Sequence, residues 1–303
     1  MFFDCLSDYW LLYYVYKDVT SVTSYARRIE MNKVIFITGA SSGIGYDAAK
    51  ALLNEGHTVY GGARRFEKMK SLEKLGVKII QLDVTDQASM DSAVEKIIYE
   101  QGRIDVVFAN AGYAQQGPVE MVPIDDIKQQ YDVNVFGFAR TMKAVLPHMR
   151  KDKKGLVLVT SSAAGHVSMP GMAWYPSTKH ALDGLVNGMR MELSDFGIDV
   201  SILEPGYVNT DFIKPAFEGL NKVEALIEDP IYLRHMTGLR KNFKKSIDGA
   251  CEVETITKLV LKAVNDKKPK RTYTAGEARL AKFLKKTFGY GLLDGFMVRT
   301  TLR

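Results

Sequence analysis

From residue 33 onward the chain alternates short, continuously apolar runs with longer stretches whose apolar positions recur every three to four residues. KVIFIT (33–38) comes first, followed by a helical pattern from about Ile44 to Asn54. HTVYGGA, VKIIQLD, IDVVFANAG, GLVLVTSS and IDVSILEPG repeat the apolar run five more times, with helical patterns between them. A short run without polar alternation suits a strand buried on both faces, and helical crossovers bury both faces of a parallel sheet. The pattern therefore predicts an α/β fold, a doubly wound parallel sheet with helices on both sides. Further on, CEVETITKLVLKAV reads as a helix, KRTYTAG as a last strand and EARLAKFLKKTFGYGLL as a basic amphipathic helix. No repeat or low-complexity linker divides the run, so residues 31–303 are read as one domain.

Two stretches depart from the alternation. Residues 1–30 are crowded with aromatics, but Asp4 and Asp8 interrupt them, and the clean apolar run from Trp10 to Tyr16 falls short of the ~20 residues a bilayer demands. There is no basic start or small-residue cleavage site either. Met31 stands just before the first strand, so residues 1–30 are read as an extension, disordered or upstream of the true start, with a weak interfacial anchor as the alternative. The second stretch, about 207–249, is longer than a connection needs, and long loops in compact domains are often lids. Its Phe212, Ile213, Phe217, Leu220, Leu226, Ile227, Tyr232 and Leu233 suggest cover for a hydrophobic molecule.

Charge and composition narrow the classes. The chain of 303 residues is 46% hydrophobic and carries a net charge of +6, which points to a soluble globular protein. Residues 267–303 hold ten Lys or Arg against two acids, so the basic excess is confined to the tail. No nucleic-acid motif accompanies it. The final helix carries Leu280, Phe283, Leu284 and Phe288 at helical spacing with Lys282, Lys285 and Lys286 between them. Packing of that stripe beside the lid is favoured over contact with an anionic membrane surface. Only Cys5 and Cys251 occur, too few for a disulfide framework, so a reducing cytoplasmic setting is expected. The five histidines are scattered and no metal-ligand spacing appears, so no metal is expected.

The first strand runs directly into TGASSGIG, with Gly39, Gly43 and Gly45 at a strand end and helix start. Glycine permits the tight turn and lets a pyrophosphate approach the backbone, where the helix N-terminus offers N–H groups. The G-x-x-x-G-x-G spacing differs from the common dinucleotide fingerprint, but its place in the first βα unit strengthens it. Farther along, YPSTK puts Tyr175 and Lys179 four residues apart, on one face of a helix that Pro176 suits at its first turn. An ammonium beside a phenol favours the phenolate and would lower the tyrosine pKa toward the working range. On those five residues alone, a solvated helix start with an incidental pair reads equally well.

TGASSGIG (38–45), NAG (110–112), YPSTK (175–179) and PG (205–206) together resemble the short-chain dehydrogenase/reductase family, in the family's order and closely over about 33–210. The resemblance implies a single-domain Rossmann-type fold, with residues 31–303 a single NADP(H)-binding catalytic domain. It implies a catalytic tetrad of Asn134, Ser162, Tyr175 and Lys179. Tyr175 would exchange the proton with a carbonyl or alcohol oxygen. Lys179 would also hold the nicotinamide ribose, Ser162 would bond the reacting oxygen, and a backbone kink at Asn134 would organise a water. Ser162 precedes Tyr175 by 13 residues, the family spacing, which favours it over Ser161. The cofactor would be lined by Gly39, Ser41, Ser42, Gly43, Ile44 and Gly45, by Asp83 and Val84 at the adenine, and by Asn110, Ala111 and Gly112. Tyr175, Lys179, Pro205, Gly206, Val208 and Thr210 would complete that lining. Asp83 reads equally as the cap of the helix near Asp86.

At the end of the second strand, Ala63 stands where NAD enzymes place an acid, and Arg64 follows, suited to the 2′-phosphate of NADP. NADP(H) is therefore expected over NAD(H), while Arg65 reads as a surface residue. Lid and final helix bring the chain closer to the hydroxysteroid and retinol dehydrogenase-like branch, with a small hydrophobic carbonyl or alcohol as substrate and a homodimer or homotetramer as the assembly. A non-catalytic NADP-binding regulator is the alternative, and a complete tetrad argues against it. A nucleotide-sugar epimerase would carry G-x-x-G-x-x-G and a larger substrate domain. A serine hydrolase is rejected because G-x-S-x-G is missing and His166 has no clear orienting acid.

Overall fold

The apolar runs become the strands of one seven-stranded sheet in which every neighbouring pair is parallel. The structure, a computed structural model, describes residues 32–302; the readings made for residues 1–30 and Met31 lie outside the described residues. In chain order the strands are β1 (Val34–Thr38), β2 (Thr58–Ala63), β3 (Lys78–Gln81), β4 (Val106–Ala109), β5 (Gly155–Thr160), β6 (Ile198–Glu204) and β7 (Thr272–Thr274). They lie in the order β3-β2-β1-β4-β5-β6-β7. The order reverses beside β1, and in such sheets ligands bind in the crevice beyond the carboxyl ends at that point.

Strand alternation divides the core into two layers. Val34 and Phe36 of β1 face one side, packed with Met90 and Ile97 of α3 (Gln87–Gln101), Met142 and Val145 of α5 (Gly137–Asp152), and Leu182 and Val186 of α6 (Trp174–Glu192). Ile35 and Ile37 face the other side, against Ala48 and Leu52 of α1 (Gly43–Asn54) and Ile256 and Val260 of α9 (Val253–Asn265). Of the remaining helices, α2 (Lys70–Leu75) packs on β3, and α4 (Ile124–Tyr131) packs against α6 rather than on the sheet. Between α4 and α5 the backbone widens into a π-helical turn, Asp132–Phe136.

The segment read as a long covering loop is instead two helices, α7 (Ile213–Glu224) and α8 (Pro230–Asp248). Ala216, Leu220 and Val223 recur at helical spacing, as do Met236, Leu239 and Phe243, and all six are buried in a third cluster with Met172 and Tyr175. Asp229 caps α8 by accepting the Ile231 N–H at 2.7 Å, ahead of Pro230 at the first turn. Leu226 and Leu233, read as cover, are exposed.

The final helix α10 (Ala278–Leu302) is broken at Gly289, whose φ of 66° interrupts the helical backbone. It packs against α8. Ala278 is buried, and Ala281 and Leu284 face the interior, but Leu280 and Phe283 are 58% and 59% exposed. The anticipated packed stripe is thus only half realised: Leu284 turns inward with Ala278 and Ala281, while Leu280 and Phe283 stay largely in solvent. The side chain of Phe288 lies outside the described residues. Among the described residues, no helix is long and apolar enough to cross a membrane.

Candidate active site

The glycine-rich turn after β1 owes its shape to close approaches that only glycine allows. Gly39 has φ +75°, and a Cβ there would come within 2.9 Å of the Ala111 Cα. At Gly45 a Cβ would meet the Asn110 side chain at 2.7 Å. Thr38, buried at the strand end, accepts the N–H groups of both Asn110 and Ala111 on its hydroxyl, each at 3.1 Å. That threonine locks the two turns together. It was missed as a site residue although it stands first in TGASSGIG. Ser42 precedes α1 in extended conformation without capping it through its side chain, so the first-turn N–H groups face outward for an anion.

Beyond β2 the arginines divide the work differently from the sequence reading. Arg65 is no bystander. Its Nη2 donates to Ser41 Oγ at 3.0 Å and to Ser42 Oγ at 2.8 Å, and its Nε donates to Ser41 Oγ at 3.2 Å. Arg64 lines the same cavity. Asp83 accepts from the Thr85 N–H at 3.0 Å and hydroxyl at 2.8 Å, while Asp86 caps α3 by accepting the Ala88 N–H. The capping alternative therefore belongs to Asp86. Burial pushes the Asp83 carboxyl up, but the two Thr85 bonds and the Arg64 and Arg140 charges outweigh it and hold it below the usual range. Leu82 and Val84 reach the cavity wall and Asp83 does not, since alternation along the chain turns it toward Thr85.

The four tetrad positions converge at the ends of β4 and β5. Tyr175 and Lys179 are both buried on the inner face of α6. The Lys179 Nζ lies 5.6 Å from the Tyr175 ring centroid and donates to the Thr160 carbonyl at 2.9 Å. Ser162 bonds the Tyr175 phenol and accepts the Ala164 N–H at 3.1 Å on its own hydroxyl. Ser161 is turned toward Asp183 instead. Asn134 is buried in the π-helical turn, where Oδ1 accepts the Tyr113 N–H at 3.0 Å and Nδ2 donates to the Tyr113 carbonyl at 2.9 Å and to Thr178 Oγ1 at 3.1 Å. A Cβ on Gly112 would lie 3.1 Å from Asn134 Oδ1 and 3.7 Å from Lys179 Nζ, which places both side chains against that glycine.

In the nucleotide-free protein, burial governs the electrostatics of the pair more than the two groups govern each other. Burial pushes the Tyr175 phenol up to about 12, the Ser162 bond pulling it down and Tyr207 pushing it up. Burial also lowers Lys179 to about 8, partly opposed by Asp183. Desolvation dominates both shifts, as expected for two groups buried together.

These residues border one cavity of about 760 Å³. Gly39, Ser41, Ser42, Gly43 and Ile44 line it on one side. Asn110, Ala111, Gly112, Pro205, Gly206, Val208 and Thr210 continue its wall. Gly45, Asp83 and Asn134 stand behind that wall. The cleft suits a dinucleotide: backbone turns open to phosphates, paired arginines, and a lysine and tyrosine at the far end. From there the cavity widens among Met169, Met172, Phe212, Phe217 and Phe243, with Leu280 and Leu284 of α10 at its edge. Phe212 lies 5.9 Å from the Tyr175 ring, centroid to centroid.

His166 does have acids beside it. Its Nε2 lies 3.1 Å from Glu204 Oε1, and Asp183 is in the same cluster. Sequence separation hid this arrangement. The nitrogen lies against Glu204 rather than the hydroxyl of Ser162, so the serine-hydrolase reading gains nothing from it.

A family model described as short chain dehydrogenase matches residues 33–221. Oxidoreductase BOA17 of Botryotinia fuckeliana is 35% identical over 79% of this chain and 87% of its own. The 3-ketodihydrosphingosine reductase of Bacteroides thetaiotaomicron is 39% identical over 59% of this chain and 65% of its own. A short-chain dehydrogenase structure from Streptomyces avermitilis superposes with a TM-score of 0.73 at 30% identity, covering 88% of this chain and 94% of that one.

Proposed function

The chain belongs to the short-chain dehydrogenase/reductase family, and from that premise we propose that it is an NADP(H)-dependent oxidoreductase interconverting a ketone and a secondary alcohol on a long-chain, largely apolar substrate. The observation that carries the reading is the position of Tyr175, buried with Ser162 where the polar cleft meets the aromatic chamber. A ketone oxygen seated there would meet two hydroxyl groups. The nicotinamide cofactor, when bound, supplies or accepts the hydride. A phenol pushed up to about 12 is protonated at neutral pH, so Tyr175 is the proton donor to the carbonyl oxygen. Ser162 bonds the same oxygen as its negative charge develops. Lys179, fixed by the Thr160 carbonyl and 5.6 Å from the Tyr175 ring, lines the cleft, where it would hold a positive charge near the phenol and bond the nicotinamide ribose.

NADP(H) over NAD(H) is supported by Ala63 in place of an acid and by Arg64 and Arg65 on the cavity wall. Residues 207–249 serve as the substrate cover, and the apolar chamber between α7, α8 and α10 suits an extended hydrocarbon better than a small polar metabolite. The relative that acts on a 3-keto sphingoid base is consistent with such an amphiphile. Assembly as a homodimer or homotetramer belongs to the same reading. The test is a panel of ketones from cyclohexanone to 3-ketodihydrosphingosine with NADPH and NADH, followed by loss of nicotinamide absorbance. The expected result is kcat/KM rising with chain length and with NADPH. Tyr175→Phe should retain nucleotide binding and lose turnover; near-normal turnover in that variant would overturn the mechanism.

A further inference from the structure

Behind the serine lies a cluster of charge that the proposed reaction does not use. Glu204, the last residue of β6, is 2% exposed, yet its carboxylate meets side chains from three separate segments. Thr274 of β7 donates to Oε2 at 2.8 Å. Lys282 of α10 donates to Oε2 at 3.1 Å and to Oε1 at 3.3 Å. His166, in the loop after β5, brings Nε2 to 3.1 Å from Oε1. Asp183, one helical turn beyond Lys179, completes the group; its carboxylate, the His166 ring and Glu204 present atoms all within 4.8 Å of one another. The packing is tight. A methyl on Gly165 would meet Asp183 Oδ2 at 2.6 Å and Ser161 Oγ at 3.0 Å.

A buried carboxylate is destabilising unless it is well paired, and apolar packing at the same place would be more stable. Burial does push Glu204 up, but the bonds from His166 and Thr274 and the charges of His166 and Lys282 hold it below the usual range. Asp183 moves the other way, raised by burial and by the Glu204 charge. So the Glu204 carboxylate is held in its charged form where three segments meet.

Its location explains the use. His166 closes the tight turn that begins at Ser162: the Gly165 N–H donates to the Ser162 carbonyl at 2.9 Å and the His166 N–H to the Ala163 carbonyl at 3.0 Å. The same turn presents Ala164 N–H to the Ser162 hydroxyl. Holding the His166 ring therefore holds the turn that aims Ser162. We propose that Glu204 is a positioning residue, which through His166 fixes the turn carrying Ser162 and through Lys282 makes the C-terminal helix part of the same frame. The role of Ser162 in this proposal rests on the reaction proposed above.

The test compares His166→Leu, His166→Gln and Lys282→Met with wild type by hydrogen exchange of the peptide spanning residues 161–167, and by kinetics with 3-ketodihydrosphingosine. His166→Leu and Lys282→Met should each speed exchange in that peptide about tenfold while β1 to β3 stay protected. In both, kcat should fall about tenfold with KM for NADPH within about twofold, because a misplaced hydroxyl weakens the transition state and not the nucleotide site. His166→Gln, whose amide N–H reaches the same carboxylate, should restore both readouts. Lys282 is partly exposed, so Lys282→Met carries the test if His166→Leu does not fold. Unchanged exchange at 161–167 overturns the proposal, whether or not the ketone is turned over. So does a lower thermal stability with wild-type kcat. Tyr175→Phe separates the two readings: full activity there defeats the reaction, whereas an inactive Tyr175→Phe beside a fully active His166→Leu defeats the positioning role alone.

Discussion

Replacing Lys179 by methionine should abolish turnover and stabilise the nucleotide-free protein. Burial lowers this lysine from 10.5 to about 8. At about 1.4 kcal/mol per pH unit, that gap means the folded state pays roughly 3 kcal/mol to keep the ammonium charged at neutral pH. Methionine fills similar space without the charge, but it loses the bond to the Thr160 carbonyl, which offsets about 1–2 kcal/mol. The net gain at pH 7 is roughly 1–2 kcal/mol, measured by urea unfolding. The pH dependence gives the sharper check. Between about 8 and 10.5 the unfolded chain binds a proton that the folded chain does not, so stability rises with pH across that window and is lost as pH falls through 8. Wild type should therefore gain about 2 kcal/mol on the variant between pH ~7 and ~9.5. A stability difference that is the same at both pH values would refute the argument that the cost is a buried charge.

Installing an acid with Ala63→Asp while removing the cation with Arg64→Ala should turn cofactor preference from NADPH toward NADH by about 2–4 kcal/mol, read by fluorescence titration; a wild type that already prefers NADH would sink the reading of the two arginines. Gly45→Ala would drive a methyl to 2.7 Å from the Asn110 side chain and 2.5 Å from the Gly39 carbonyl, and should cost about 1–3 kcal/mol in unfolding experiments together with much of the nucleotide affinity. Thr38→Val leaves the Asn110 and Ala111 N–H groups without their acceptor, at a cost of about 1–3 kcal/mol, whereas Thr38→Ser should remain near wild type. Phe212→Ala should raise KM for a long-chain ketone several-fold with unchanged nucleotide affinity, since the ring borders the chamber beside Tyr175; equal effects on both ligands would place the residue elsewhere in the cycle.

What the sequence disclosed was whatever local rules govern. A strand buried on both faces has to be continuously apolar, so each run in the sheet was visible, and their boundaries fell within a few residues of the structure. TGASSGIG and YPSTK were visible for the same reason, because turn geometry and helix spacing are written in neighbouring residues. The helices α7 and α8 were equally written, in Ala216, Leu220 and Val223 and in Met236, Leu239 and Phe243, but the larger aromatics interspersed with them mask the period. Hidden altogether were contacts between distant segments. Nothing near His166 foretells Glu204, 38 residues on, and nothing near either foretells Lys282.

Electrostatics at the tetrad shows why proximity in sequence was also insufficient where it was known. Spacing put Tyr175 and Lys179 together correctly, and charge attraction alone predicts a phenol shifted down. The sign is decided instead by solvation, which depends on Met172, Phe212 and α7 closing over the pair, and no local motif encodes that closure. With the phenol at about 12 and the lysine at about 8, the nucleotide-free site is set to give a proton and keep a cation below pH 8. Proton donation with an intact cation is what carbonyl reduction asks of it, and abstraction from an alcohol would require the phenol to ionise against its burial. The same desolvation that makes Lys179 a burden on stability therefore also sets the protonation state in which the nucleotide-free site rests.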